Sequence, residues 1–487
     1  MARKVFESNC YQKKAYKNNH ASRKRNAFND PRLVSVMDDM VAGMATTGKI
    51  SIQQIAENDS EYKRFSRFLN NDRVEVEELI QLNCKVKPEV VVGKEILLIG
   101  DTVSWNMKKS RIKDSKELGV LNDGKTPGFR SHAHLALNTS GEVLALADVI
   151  HWIRPKQTKT QKKDAHKKKA WEEKESIRWA MGASNASEVT KLAARRTFIY
   201  DQEADEFNLI KHITQSLRDD IIIRANHNRT VTCNNKEQSV DACLSKSRAL
   251  GRYKVDLPKL DHYSWTSGLR IKRKPRIATI ELRSTKVELH QPNTKKAGET
   301  ISLYLVEARE IGHNLGENES PILWRLWTTH QVLTYQQAKQ IVYYYTLRWV
   351  IEQFFRLLKK KGFRIESTEL GNYKAVLKQT TIAMKVATTV KQLVYARNRM
   401  DCQPTDDVFG KKQQQVLQKL NERLQGKTEK QKNPFPQEKL SWASWIIGRL
   451  GGWKGYTSQG LPGPIAMKIG LDKFNTYVEA FDLLNSE

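Results

Sequence analysis

The chain has 487 residues, and 83 Lys and Arg against 54 Asp and Glu give it a formal net charge of +29. So large an excess of positive charge indicates a polyanionic partner, most simply nucleic acid, because solubility alone would account for a far smaller charge. No apolar run approaches the length of a membrane span, and the first residues lack the apolar core of a signal peptide, so we expect neither a membrane protein nor a secreted one. The five cysteines show no zinc-ligand spacing, which predicts free thiols in a reducing cytosol.

Residues 1–85 predict a basic arm followed by a helical DNA-binding domain. Residues 1–30 are polar and basic with little periodicity, which is typical of a segment that becomes ordered on a polyanion. Beyond them apolar residues recur at steps of three and four, as Tyr62, Phe65, Phe68 and Leu69 do, with basic residues between them. This pattern favours a small helical unit that docks on DNA, although an ordinary solvated helix face gives the same pattern.

Residues 86–372 predict an α/β domain in which two strands are followed by an acid. Apolar and alternating runs mark the strands, and a turn sequence, Asn138–Gly141, joins two of them as a hairpin. The predicted elements are, in chain order, strands at Glu95–Gly100, Ser131–Leu137 and Glu142–Ile150, a loop at Lys156–Lys169, a helix at about 171–195 and a strand at Arg196–Tyr200. Asp101 follows the first strand and Asp201 follows the last.

The second half of the chain predicts a β-rich insertion and then helices. Segments that alternate or are β-branched dominate about residues 217–310, which favours strands. After the insertion come, in order, a strand at Pro321–Trp327, helices at Tyr335–Tyr344 and Tyr345–Lys361, and a mainly helical domain at 373–487.

The helix predicted from Tyr345 carries four polar residues, Tyr345, Arg348, Glu352 and Lys359, among apolar ones. Their spacings of 3, 4 and 7 place them on one stripe of a helix with about 3.6 residues per turn. A carboxylate flanked by cations and a phenol on an otherwise apolar helix suits a group that holds a metal beside a phosphate.

Asp101, Asp201 and Glu352 form a candidate metal site. Sites in α/β sheets form beyond the strand ends, and three carboxylates that converge there need a compensating charge. Oxygen ligands indicate Mg²⁺ or Mn²⁺, and two such ions about 3.5–4 Å apart clamp the attacking and leaving oxygens of a phosphoryl transfer. Each Asp taken alone could instead cap a turn.

These residues carry a resemblance to a known family. The segment Tyr345–Lys359 reproduces the signature Y-x2-R-x3-E-x6-K, and Asp201–Asp205 matches D-x-E-A-D. Asp101-Thr102-Val103 departs from the pattern D-T-T at its third position only. The chain therefore resembles the DDE transposases of the insertion-sequence-four group, in particular the Tn-five-type cut-and-paste transposases.

The resemblance implies an RNase H-like catalytic core within 86–372 and a role for each matching residue. Asp101, Asp201 and Glu352 would be the catalytic metal ligands, for two Mg²⁺ or Mn²⁺ ions. The residues implied in DNA binding are Tyr345, Arg348 and Arg224 at a phosphate near the transposon end, Lys359 at the DNA backbone, and Trp324 at a flipped base.

The implied activity is cut-and-paste DNA transposition: nicking at the transposon end, hairpin formation, hairpin opening and strand transfer into target DNA. The implied partners are double-stranded transposon ends, target DNA and a second copy of the chain, paired through residues 373–487. No nucleotide cofactor is implied, and the expected location is the bacterial cytoplasm, at the nucleoid. A non-catalytic, transposase-derived inhibitor is the alternative, and the presence of all three acids argues against it.

Two further patterns favour other chemistry only weakly. Gly119–Thr126 matches the phosphate-binding pattern G-x4-G-K-[ST], but charged residues precede it and Pro127 follows it, whereas that loop requires a strand before and a helix after. His132 and His134 lie two apart on one predicted strand, and without a third ligand, packing or solvent exposure is favoured over metal binding.

Overall fold

The computed structural model describes residues 27–154, 170–264, 268–292, 298–312, 314–359, 362–426, 428–455 and 460–485. The chain forms two compact units: unit 1 is Met1–Ala194 with Trp349–Glu487, and unit 2 is Arg195–Arg348. The predicted loop at 156–169, and the predicted arm up to residue 26, lie outside the described residues.

The first part of unit 1 is helical and then forms strands. Its elements are α1 Pro31–Thr47, α2 Ile52–Ile55, α3 Asp59–Asn70, α4 Val76–Asn83, α5 Pro88–Val91, β1 Glu95–Asn106, β2 Gly119–Val120, β3 Pro127–Asn138, β4 Val143–Trp152 and α6 Ile177–Val189. Polar caps fix the helix starts: Asp30 accepts a hydrogen bond from the Arg32 amide before α1, and Asn58 accepts one from the Glu61 amide before α3.

The strands of unit 1 are antiparallel, with β3 pairing along β1 on one side and along β4 on the other. The predicted hairpin is confirmed, since the Asn138 side chain accepts hydrogen bonds from the Ser140 and Glu142 amides across the turn. The prediction that the first strand stops before Asp101 is wrong. β1 continues to Asn106 because β3 pairs with it along the whole of that length, so Asp101 lies within the strand.

Unit 2 is rich in strands, and strands dominate about residues 217–310, as predicted. That this segment is an insertion stays a prediction. Its elements are β5 Arg195–Tyr200, α7 Phe207–Lys211, β6 Asp220–Arg224, β7 Thr230–Cys233, β8 Lys236–Ser239, α8 Val240–Lys246, β9 Ala249–Leu257, β10 Leu260–Ser264, β11 Leu269–Arg273, β12 Arg276–His290, β13 Thr300–Ile311, β14 Leu323–Thr328 and α9 Tyr335–Thr346. β5 and β6 are parallel, and β6, β14, β13 and β12 follow one another as antiparallel neighbours. β9 and β7 both pair with β12, and α9 packs on the sheet.

The chain returns to unit 1 through helices. They are α10 Trp349–Leu358, α11 Tyr373–Ala396, α12 Lys411–Leu424, α13 Leu440–Leu450 and α14 Pro464–Asn485. The long helix α11 is buried along most of its length and contacts helices from both ends of the chain. Its Lys378 ammonium donates hydrogen bonds to the carbonyls of Leu69 and Asn71 at the end of α3. The domain boundaries predicted at residues 85 and 372 stay predictions. Helices from before residue 85 and from after residue 372 pack against each other within unit 1.

The prediction of one helix from Tyr345 to Lys361 is wrong. α9 ends at Thr346, and the amides of Leu347 and Arg348 donate to carbonyls only three residues back, which closes a tight turn. A separate helix, α10, then begins at Trp349. Tyr345 and Glu352 therefore do not share one helical stripe. None of the helices in the described ranges is both long and apolar enough to span a membrane.

Candidate active site and nucleic-acid interface

A cleft of about 780 Å³ in unit 1 contains Glu352. Glu352 lies in the first turn of α10, and the facing wall belongs to the second half of β1. The lining residues are Thr102, Val103, Ser104, Asn106, Leu121, Glu352, Phe355, Arg356, Lys359 and Glu366. The extension of β1 beyond Asp101 therefore supplies one side of this cleft.

Asp101 lies next to this wall. Its Oδ1 accepts a hydrogen bond of 2.7 Å from the Thr102 amide. The Thr102 hydroxyl is 3.0 Å from Nδ1 of His132 and accepts a hydrogen bond of 3.2 Å from Nε of Arg178. His132 on β3 and Arg178 on α6 thus hold Thr102, the residue next to Asp101, in a fixed position.

Lys359 lies at the other end of the cleft. Its ammonium is 4.0 Å from the Glu366 carboxylate and 5.9 Å from the centre of the Trp105 ring. Glu366 in turn accepts a hydrogen bond of 2.9 Å from the Asn106 amide. The predicted DNA-contacting lysine therefore shares the cleft with Glu352.

In unit 2, Tyr345 is the centre of a cluster that sequence spacing could not have shown. Its ring packs edge to face against Trp324, with centroids 5.1 Å apart at 72°. The Arg224 guanidinium lies near enough to its phenol to lower the pKa of that phenol. Burial raises the pKa of the phenol above its ordinary value, Arg348 and Arg224 counter that rise, and Asp201 adds to it. The predicted residues Tyr345, Trp324, Arg224, Arg348 and Asp201 are thus brought together.

The register explains why Arg224 and Trp324 face the same way. Arg224 lies opposite Leu326 in the β6–β14 pair, and residues two apart on a strand share a face, so Trp324 lies on the same side as Leu326. Tyr345 is only 4% exposed, whereas Trp324 and Arg224 are partly exposed. The buried phenol thus lies beneath two side chains that are partly open to solvent.

Asp201 follows β5, as predicted, and it does cap a turn. Its Oδ1 accepts a hydrogen bond of 2.9 Å from the Glu203 amide at the start of the short turn Gln202–Ala204. Among the described residues its Oδ2 makes no hydrogen bond. Capping therefore occupies one oxygen and leaves the second for a ligand.

Asp205 and Arg178 are site residues whose roles sequence reasoning missed. Asp205 is buried, accepts a hydrogen bond of 2.7 Å from the Asn226 amide and pairs with Arg229 at 2.9 Å. It thereby holds the loop that follows Arg224. The repeated acid within Asp201–Asp205 was the available signal for Asp205.

Hard divalent cations prefer carboxylate oxygens, and the Glu352 side chain and the strand at Asp101 offer them beside an open cleft. This donor chemistry fits Mg²⁺ or Mn²⁺. Within the described ranges, no three His, Cys, Asp or Glu side chains are gathered as a complete metal site. The shared role of Asp101, Asp201 and Glu352 therefore stays a prediction.

The two weaker patterns have structural roles. His132 and His134 are fully buried, pack at 4.9 Å from each other and lie against α6. Gly119–Thr126 comprises β2 and the turn that leads to β3, in which the Asp123 carboxylate accepts hydrogen bonds from the Lys125 and Thr126 amides. A strand, not a helix, follows it.

No family model matches the chain. Among solved structures, it is similar to a cryo-EM structure of the piggyBac transposase synaptic complex with hairpin DNA. The sequences are 10% identical, the match covers 80% of this chain and 74% of the other, and the TM-score is 0.33. So low a TM-score supports no inference about this chain.

Proposed function

We propose that the protein is a DNA transposase that binds transposon ends and catalyses cut-and-paste transposition by strand cleavage, hairpin formation and strand transfer. The support is the set of three motifs around Asp101, Asp201 and Glu352, together with the net charge of +29. We further propose an RNase H-like core, because antiparallel β1, β3 and β4 are followed by a helix and then by the parallel pair β5–β6.

The observation that carries the proposal is the cluster around Tyr345. Arg224, Trp324 and Tyr345 are far apart in the sequence and were selected only by their match to a family pattern. In unit 2 they meet, and Arg348 and Asp201 act electrostatically on the same phenol. A cationic, partly exposed aromatic cluster beside an acid is suited to a phosphate and an unstacked base.

Each residue of this cluster has a distinct task in the proposed reaction. Arg224 and Arg348 bind a phosphate of the DNA end, and Tyr345 holds the Arg224 guanidinium in place. Trp324 stacks on a base that leaves the helix when the DNA bends into a hairpin, which offsets the cost of unstacking. Lys359, in the unit 1 cleft, contacts the DNA backbone.

Asp101, Asp201 and Glu352 would hold the divalent cations. When bound, such ions stabilise the charge that develops on the phosphoryl oxygens and lower the pKa of water. The capping bond to Asp201 and the bond from Thr102 to Asp101 fix the orientation of two of the carboxylates. We also propose a homodimer in the bacterial cytoplasm, as for the family that the sequence resembles.

The test uses end DNA taken from the inverted repeats that flank the gene. With Mg²⁺, the wild-type protein should nick and cleave this DNA, while Glu352→Gln should cleave at least about 100-fold more slowly, because loss even of a group that supports a metal ligand costs about 10–100-fold. DNA binding, followed by mobility shift, should remain within about twofold since the substitution removes no cation. Glu422, exposed on α12, offers a control with the same change of charge, Glu422→Gln.

Full cleavage by Glu352→Gln would contradict the metal assignment. Binding without any cleavage by the wild-type protein would instead favour the non-catalytic inhibitor. Activity of Lys125→Ala without added nucleotide would exclude a nucleotide-driven enzyme.

A further inference from the structure

One face of the unit 2 sheet carries arginine and glutamate side chains in alternation across four strands. Cross-strand register places Glu281 opposite both Arg252 and Arg309, and Glu307 opposite both Arg283 and Arg325. We call this set the arginine–glutamate ladder: Arg252, Glu281, Arg283, Glu307, Arg309 and Arg325. Trp324 precedes Arg325 on β14, so the ladder lies on the face opposite to Trp324.

Each glutamate of the ladder is held by two arginines. Glu281 accepts hydrogen bonds from Arg252 at 2.7 and 2.9 Å and from Arg283 at 2.9 and 3.1 Å. Glu307 accepts them from Arg309 at 2.9 and 3.1 Å and from Arg325 at 3.1 Å. The carboxylates therefore remain paired even if one arginine of each set is removed.

In the ladder, both glutamate side chains are buried and two of the arginine side chains are exposed to solvent. The side chains of Glu281 and Glu307 are 5% and 1% exposed, whereas those of Arg252 and Arg309 are 62% and 48% exposed. The other two arginines are covered by α8: Arg283 donates to the Leu244 carbonyl. Arg325 pairs with Asp241, the second residue of α8.

The two outer arginines present unused donors in a fixed orientation. Arg252 and Arg309 both use Nε and Nη2 for the glutamates, and among the described residues Nη1 of each makes no hydrogen bond. Lys254, exposed on the same face opposite Thr279, adds a third cation. The glutamates already order these guanidinium groups. Ligand binding therefore costs less conformational entropy of the two arginine side chains.

A pair on the other face shows what a purely structural ion pair looks like in this sheet. Arg276 and Glu310 pair on the face of Ile280, and their side chains are only 12% and 1% exposed. There both charges are enclosed, and no donor is offered outward. The exposure of Arg252 and Arg309 is thus not required for pairing a buried glutamate.

We propose that Arg252 and Arg309, the outer arginines of the ladder, bind the phosphate backbone of duplex DNA independently of sequence. The two lie on β9 and β13, two strand spacings or about 10 Å apart, which corresponds to about three phosphates of one DNA strand counted along the helix axis. The duplex bound here is a different segment from the one at Trp324, because the two groups occupy opposite faces. This inference rests on the proposed function only in taking DNA as the partner.

The test is the salt dependence of binding to a 30-base-pair duplex of unrelated sequence, measured by fluorescence anisotropy from about 50 to 300 mM KCl. The double variant Arg252→Gln/Arg309→Gln should bind about 10- to 100-fold more weakly near 0.1 M salt, and the slope of log K against log salt should fall by about two. Glu281 and Glu307 keep Arg283 and Arg325, so thermal unfolding should be nearly unchanged.

The matched control is Arg270→Gln/Lys272→Gln, which also removes two exposed, ion-paired cations from unit 2 but outside the ladder. It should leave the slope unchanged. An unchanged slope in the ladder variant, or an equal fall in the control, would overturn the proposal. Binding of polyglutamate by the same ladder variant is measured alongside. If that binding is lost while the salt slope for DNA is unchanged, the outer arginines serve an acidic protein partner and the proposal is overturned.

Cleavage of end DNA, measured separately, distinguishes the two proposals. Normal cleavage with no effect of the ladder variant on the slope rejects the ladder alone. A smaller slope without any metal-dependent cleavage rejects the transposase alone.

Discussion

Two tryptophans three residues apart on β14 have different environments. Trp327 is fully buried, whereas Trp324 is partly exposed and packs edge to face on Tyr345. A core tryptophan would be enclosed as Trp327 is, so the position of Trp324 favours contact with a ligand.

Trp324→Ala should nick end DNA at nearly the wild-type rate but form little hairpin. Stacking on an aromatic ring contributes about 1–3 kcal/mol per base, which corresponds to about a 5- to 150-fold loss in the step that needs the flipped base. Denaturing gels that separate nicked from hairpin product measure this, and 2-aminopurine at the end reports unstacking. Trp324→Phe should restore most of the hairpin yield. Equal loss of nicking and hairpin formation would contradict a stacking role.

The two aspartates of the Asp201–Asp205 motif divide their tasks. Asp201 is partly exposed at the end of β5, whereas Asp205 is buried and fixes the loop after Arg224 through Asn226 and Arg229. The motif therefore joins a candidate ligand to the support of a candidate phosphate-binding arginine.

At the scale of elements, β3 and β4 enclose histidines that stay neutral. Burial lowers the pKa of His134 and of His151 to about 3 from the ordinary 6.5. In the unfolded chain they bind protons as pH falls below 6.5, while in the folded chain they do not. Their contribution to stability is therefore fully present above pH 6.5 and is lost as pH falls toward 3.

The free energy of unfolding should thus fall between pH 6.5 and 4.5, by up to about 1.4 kcal/mol per pH unit for each buried histidine. His151→Gln should make this dependence less steep, and His227→Gln, at an exposed position, should not change it. Urea unfolding followed by tryptophan fluorescence measures both. An identical pH dependence in His151→Gln and the wild type would contradict the neutral, buried assignment.

Element types were largely predictable, and boundaries were not. The hairpin at Asn138–Gly141 and the strand before Asp201 follow from local turn chemistry and apolar runs. The extension of β1 depends on its pairing with β3, a contact distant in sequence. No Gly or Pro lies at the break between α9 and α10. The helical pattern of apolar residues therefore continues in the sequence across Leu347 and Arg348, where the helix itself is interrupted.

The sequence motifs predicted which residues belong to the candidate site, but not how those residues pack. The acids and the Tyr-Arg-Glu-Lys spacing are visible in the sequence, but the burial of Tyr345 and its proximity to Arg224 come from packing across β6, β14 and α9. The ladder could not be predicted at all, because it depends on the register of four strands.

At the scale of the whole molecule, the three carboxylates named in the proposal do not all belong to the same unit. Asp101 and Glu352 belong to unit 1 and Asp201 belongs to unit 2. If DNA is the partner, as we propose, the 83 basic against 54 acidic residues supply non-specific attraction to it, whereas the proposed cleavage depends on all three acids.

The most direct measurement is the rate of Mg²⁺-dependent nicking of end DNA by Asp101→Asn, Asp201→Asn and the double variant. Groups that work as a unit are non-additive, so each single variant should fall to the background rate and the double variant should be no slower. Substantial nicking by Asp201→Asn, or losses that multiply in the double variant, would contradict a single site formed by these carboxylates.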